Sequence, residues 1–63
     1  MANTRTYVKH VNVFQDKWKD IDAIIDAAIL KETMTGATFK AITSFVDEGG
    51  MAVFTVVFER ISS

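Results

Sequence analysis

Asp47-Glu48-Gly49-Gly50-Met51-Ala52-Val53-Phe54-Thr55-Val56-Val57-Phe58 is the stretch that decides the fold. Its first four residues read as a hairpin connection. Glycine supplies the positive φ that tight turns need, and aspartate hydrogen-bonds nearby backbone there. From Met51 to Phe58 only Thr55 breaks the apolar run, and strand character extends to Ile61. A strand that is apolar on both faces is usually covered on both, so this one belongs in the middle of a sheet.

The segment before the turn, about Ala37 to Asp47, alternates as a strand. Phe39, Ala41, Thr43 and Phe45 are expected on one face, and Thr38, Lys40, Ile42, Ser44 and Val46 on the other. Further back, Thr4 to Phe14 is rich in β-branched and aromatic residues and predicts a first strand. Tyr7, Val11 and Val13 share one of its sides; Val8, His10, Asn12 and Phe14 share the other. Between these strands, about Asp16 to Met34 predicts a helix. Asp16 is placed to cap it, Asp20 and Asp22 suit its positive end, Lys31 suits its negative end, and Gly36 follows as the stop.

The element order is therefore strand, helix, strand, strand. A right-handed crossover makes the first two strands parallel, and the hairpin turns the third against the second. With the third strand in the middle, the spatial order is 1-3-2 and every neighbouring pair is antiparallel. The expected fold is a single α+β domain over residues 1–63: β-α-β-β, with a three-stranded antiparallel sheet and one helix packed on one face.

The helix carries two apolar stripes. Trp18, Ile21, Ile25, Ala28 and Ile29 share one face at 3.6-residue spacing, with Ile24 beside them. Ala23, Ala27, Leu30 and Met34 form a second stripe nearly opposite. An ordinary surface helix has one stripe and a broad polar back. The sheet poses the same problem, because one helix covers only one face. Depending on register, the bare face holds Phe54 and Phe58, or Val53 and Val57. A contiguous exposed apolar face marks an interaction surface. Ala23, Ala27, Leu30, Met34, Phe54 and Phe58 are thus the expected contacts between copies of this chain.

Size points the same way. The chain has 63 residues and no cysteine, so neither a disulfide nor a thiolate metal site can reinforce it. Its mass of 7.0 kDa corresponds to roughly 4,000 Å² of folded surface. Domains this small and unstapled commonly rely on partner chains. Seven basic and eight acidic side chains give a net charge of −1, which argues against a nucleic-acid binder. Arg5, Lys9, Lys40 and Arg60 amount to a scattered basic rim. No apolar stretch approaches the ~20 residues needed to cross a bilayer.

Few residues suggest chemistry. His10 is the single histidine, and no acid is evidently paired with it, so no catalytic residue is assigned. Asp16, Asp20, Asp22 and Asp26 read as a solvated helix face interleaved with lysines, and no metal site is expected. Trp18 either anchors the core or stacks on a planar ligand; its place in the stripe with Ile21 and Ile25 favours packing. Trp18, Phe39 and His10 are the ligand-binding candidates.

Several stretches resemble the dodecins, small flavin-binding proteins whose strand-helix-strand-strand protomers form a hollow dodecamer. They are Lys17-Trp18-Lys19-Asp20, the alanine-bearing helix, Thr33-Met34, and Gly50-Met51-Ala52-Val53-Phe54-Thr55-Val56. The resemblance implies the same protomer fold and an oligomer. In dodecins a second-strand tryptophan stacks on the flavin; the matching stretch here, Thr38-Phe39-Lys40, has none, and the hairpin is shorter. The expectation is a small cytoplasmic, non-enzymatic homo-oligomer that binds through an inter-subunit pocket or a protein-interaction surface. The alternative is a dodecin-like store for flavin or another small aromatic ligand.

Overall fold

The structure, a computed structural model, describes residues 3–62. Strand β1 spans Asn3–Val13, a 3-10 helix spans Gln15–Asp20, helix α1 spans Ile21–Thr33, β2 spans Thr38–Val46 and β3 spans Ala52–Ser62. The sheet order is β1-β3-β2, with both pairings antiparallel. The α+β class and the 1-3-2 order follow the sequence reading, because the most apolar strand gains neighbours on both edges.

The hairpin forms as its residues dictate. Gly50 N–H donates to the Asp47 carbonyl at 3.1 Å, and Gly50 adopts φ +80°. One carboxylate oxygen of Asp47 accepts from the backbone N–H groups of Gly49 at 2.9 Å and Met51 at 3.0 Å. Gly36, at φ +101°, ends the helical region.

Register settles which side chains face the helix. In β3 the buried residues are Ala52, Val56 and Phe58, so Phe54 and Phe58 lie on the helix side while Val53 and Val57 lie on the open side. From β1, Val13, Val11 and Tyr7 stand opposite Ala52, Phe54 and Phe58. The core gathers Ala37, Val56 and Phe58, with Tyr7, Val11 and Ile29 packed around them. An aromatic row crosses the whole sheet through its centre. Tyr7 stacks on Phe58 with centroids 5.6 Å apart, and Phe39 meets Phe58 edge-on at 6.4 Å. Such offset and edge geometries suit the ring quadrupoles.

Three expectations need correction. First, β2 does not keep one alternation. Phe39 pairs with Phe58 but Ala41 pairs with Val57, a register shift that inserts one extra residue. This bulge reverses the pleat. Phe39 therefore shares the helix side with Ile42, Ser44 and Val46, and leaves Ala41, Thr43 and Phe45 on the other. Second, Asp16 does not cap an α-helix. The first turn is a 3-10 helix that follows Phe14, and neither it nor α1 has a side-chain cap bond. The Trp18 indole N–H instead donates back to the Val13 carbonyl at 3.0 Å, tying this tight turn to the end of β1. Third, Phe58 is 1% exposed. It belongs to the core and has no surface to give a partner.

The molecule is thin. Its Cα extents are 46 × 20 × 11 Å and its radius of gyration is 13.4 Å, against about 11 Å for a compact chain of this length. Its accessible surface is 4722 Å². No residue of α1 is fully buried.

Candidate functional site: an uncovered strand and a basic cleft

All nine residues of β2 are exposed. On the helix side, Phe39 and Ile42 are each 40% exposed and Val46 is 58%. On the open side Phe45 is 60% exposed. Strand β2 is also an edge strand, so one row of its backbone N–H and C=O groups lacks a neighbouring strand. An exposed apolar edge of this length is a template for strand pairing. The second helical stripe is free as well. Ala23 and Ala27 are exposed, and Leu30 and Met34 are 56% and 75% exposed. Phe54, half-buried on β3, lies opposite Ser44, whose small side chain leaves room above it.

The open face of the sheet is less apolar than the sequence reading expects. Its successive rows are Val8–Val57–Ala41, His10–Thr55–Thr43 and Asn12–Val53–Phe45. Threonine, histidine and asparagine interrupt the valines, so the exposed apolar area is concentrated on β2 and the helix stripe.

The three ligand-binding candidates are not brought together. His10 faces the open side, where its Nδ1 lies 3.2 Å from the Thr55 hydroxyl. Phe39 faces the helix side, against Phe58. Trp18 sits beside Val13, which pairs with Ala52, six positions along β3 from the Phe58 that holds Phe39. That separation is roughly 20 Å at strand rise. Among the described residues no group of three or more His, Asp or Glu side chains could hold a metal ion. Among the described residues no helix is long and apolar enough to cross a membrane.

A second feature escapes sequence reasoning. At the β1 edge a cleft of about 420 Å³ is lined by Arg5, Tyr7, Val8, Lys9, Glu32 and Arg60. Arg5 stands directly opposite Arg60 in the β1–β3 ladder. Arg60 is held in place: Nη1 donates to the Thr35 carbonyl, and Nη2 donates to the Thr35 hydroxyl at 2.8 Å and the Tyr7 hydroxyl at 3.3 Å. Tyr7 in turn donates to Glu32 at 2.9 Å, and the guanidinium lies 5.9 Å from the Tyr7 ring centroid. Three of the four cations of the supposed scattered rim thus gather in one cleft, while Lys40 lies in the β2 bulge at the far edge. Only the strand register, which joins residues 5 and 60, could have revealed this.

Comparisons with family models, with curated proteins and with solved structures find no match to this chain.

Proposed function

We propose that this protein is a cytoplasmic, non-enzymatic homo-oligomer that acts by binding, through a surface or pocket formed between its subunits. The observation that carries this reading is β2, exposed along its whole length with apolar side chains on both faces. The area fits. The single chain exposes 4722 Å² where a compact fold of its mass exposes roughly 4,000 Å². The surplus, roughly 700 Å², approaches the ~800 Å² that each partner contributes to an ordinary stable interface. A second copy seated on β2 and on the Ala23-Ala27-Leu30-Met34 stripe would cover most of the large exposed apolar side chains. Native mass spectrometry of the full chain, purified gently from cell extract, tests this by reporting subunit count and co-purified ligand together. A defined oligomer at micromolar concentration is expected. A 7.0 kDa monomer that stays soluble and melts sharply would overturn the reading.

A second reading, a dodecin-like store for flavin or another flat aromatic molecule, draws on Phe39. This residue occupies the position that matches the flavin-stacking stretch, and its ring is still 40% exposed after packing on Phe58. In an oligomer such a ring could form one wall of a stacking site. Added riboflavin whose fluorescence is unquenched by saturating protein would reject it.

A further inference from the structure

We propose that the β1-edge cleft binds a phosphate group, as the dianionic head of a small phosphorylated molecule. The strand register brings the cations together. Arg5 and Arg60 are direct cross-strand neighbours on the helix side of the sheet, and Lys9 lies on the same side two positions beyond Tyr7. Like charges placed directly opposite one another destabilise a ladder. An anion held between them turns that repulsion into attraction.

The charge balance favours an anion. Three cations line the cleft against one carboxylate, Glu32. That carboxylate accepts the Tyr7 hydroxyl, which itself accepts from Arg60. The cleft therefore retains an excess of two positive charges, which suits a dianion. Among the described residues, the side chains of Arg5 and Lys9 make no hydrogen bond or ion pair. Both are available to a ligand.

One of the cations is also preorganised. Arg60 is fixed by Thr35 and Tyr7, so part of the ordering cost of binding is met in the fold. Of its five donor hydrogens, three are used, and the Nε–H and one on Nη1 remain. These two lie on different edges of the guanidinium, so each can give a phosphate oxygen one charge-assisted bond. The volume of about 420 Å³ exceeds that of phosphate alone and lies within the usual range for small-molecule clefts. The cleft is lined by residues of a single chain, so it does not require the interface proposed above.

The test is an amide and side-chain NMR titration of the full chain with inorganic phosphate and, separately, with phenyl phosphate. Ionic strength is held constant with sodium chloride, and chloride alone serves as the reference. Saturable shifts centred on Arg5, Tyr7, Lys9, Thr35 and Arg60 are expected. Tighter binding of phenyl phosphate would identify a phosphorylated organic ligand; equal binding would identify the free ion as sufficient. Replacing both exposed cations (Arg5→Gln with Lys9→Gln) should weaken binding by about tenfold or more, whereas Lys40→Gln should leave it unchanged. Unsaturable shifts, shifts equally produced by chloride, or undiminished binding by the double variant would each overturn the proposal.

Discussion

Phe39 stands edge-on to Phe58, with ring centroids 6.4 Å apart and planes inclined at 67°, although simple alternation along β2 would put Phe39 on the face opposite Ile42. The bulge between Phe39 and Ala41 permits the contact. It rotates the start of β2 so that an aromatic ring completes the row begun by Tyr7. Phe58 is thereby gripped from both neighbouring strands.

Phe58→Ala should cost about 3–5 kcal/mol, the usual range for emptying a buried phenylalanine site. In a domain this small that is most of the available stability. Urea unfolding followed by circular dichroism should show a chain largely unfolded before denaturant is added. Phe39→Ala removes a half-exposed ring and should cost clearly less in the isolated chain.

A lysine at Ile42 or Val46 should break the proposed assembly without breaking the fold. Both positions are exposed in the single chain, so the substitution adds little strain there, but a charge buried against a second copy would be costly. Light scattering should report the 7.0 kDa species with an unchanged far-ultraviolet spectrum. For the parent chain the melting temperature should rise with protein concentration, as mass action requires; for the lysine variants it should not.

Tyr7→Phe deletes the hydroxyl that joins Glu32 to Arg60 and should cost about 1–3 kcal/mol, as for a hydrogen bond to a charged partner. Glu32→Gln keeps an acceptor oxygen in place and should cost less. Chemical denaturation of the two variants side by side distinguishes loss of the relay from loss of charge.

Gly50→Ala places a side chain at φ +80° and brings its Cβ to 3.2 Å from the Gln15 side-chain oxygen. A penalty of about 1–2 kcal/mol is expected from the left-handed backbone alone. Asp47→Ala frees the N–H groups of Gly49 and Met51 and should cost about 1 kcal/mol, limited because the turn is exposed. Thermal melts of both variants provide the check.

The architecture was legible because its strongest signals are local. The Gly49-Gly50 turn, the apolar run after it and the 3.6-residue stripe through Ile21, Ile25 and Ile29 each report on neighbours in sequence. The side chains of β1 also divide between the faces as their alternation indicates. Three things were not legible, each for a physical reason. The bulge depends on how β2 lies against β3, which no pattern within Thr38–Val46 declares. The 3-10 start depends on the Trp18 indole finding the Val13 carbonyl. The cleft depends on residues 5 and 60 becoming neighbours, and that follows only from the β1–β3 register. The exposed stripe of Leu30 and Met34, by contrast, was plain from helical spacing.

The central strand comes after both of its neighbours in the chain. During synthesis β1 and β2 emerge with nothing to pair with, and the sheet cannot begin until β3 follows. The β2–β3 hairpin then closes over a short turn, whereas β1 must be recruited across some forty intervening residues, the kind of distant pairing that slows folding. Until β3 takes its place both neighbouring strands keep apolar side chains and unpaired edges open, so protection from misassembly waits on the last strand to form.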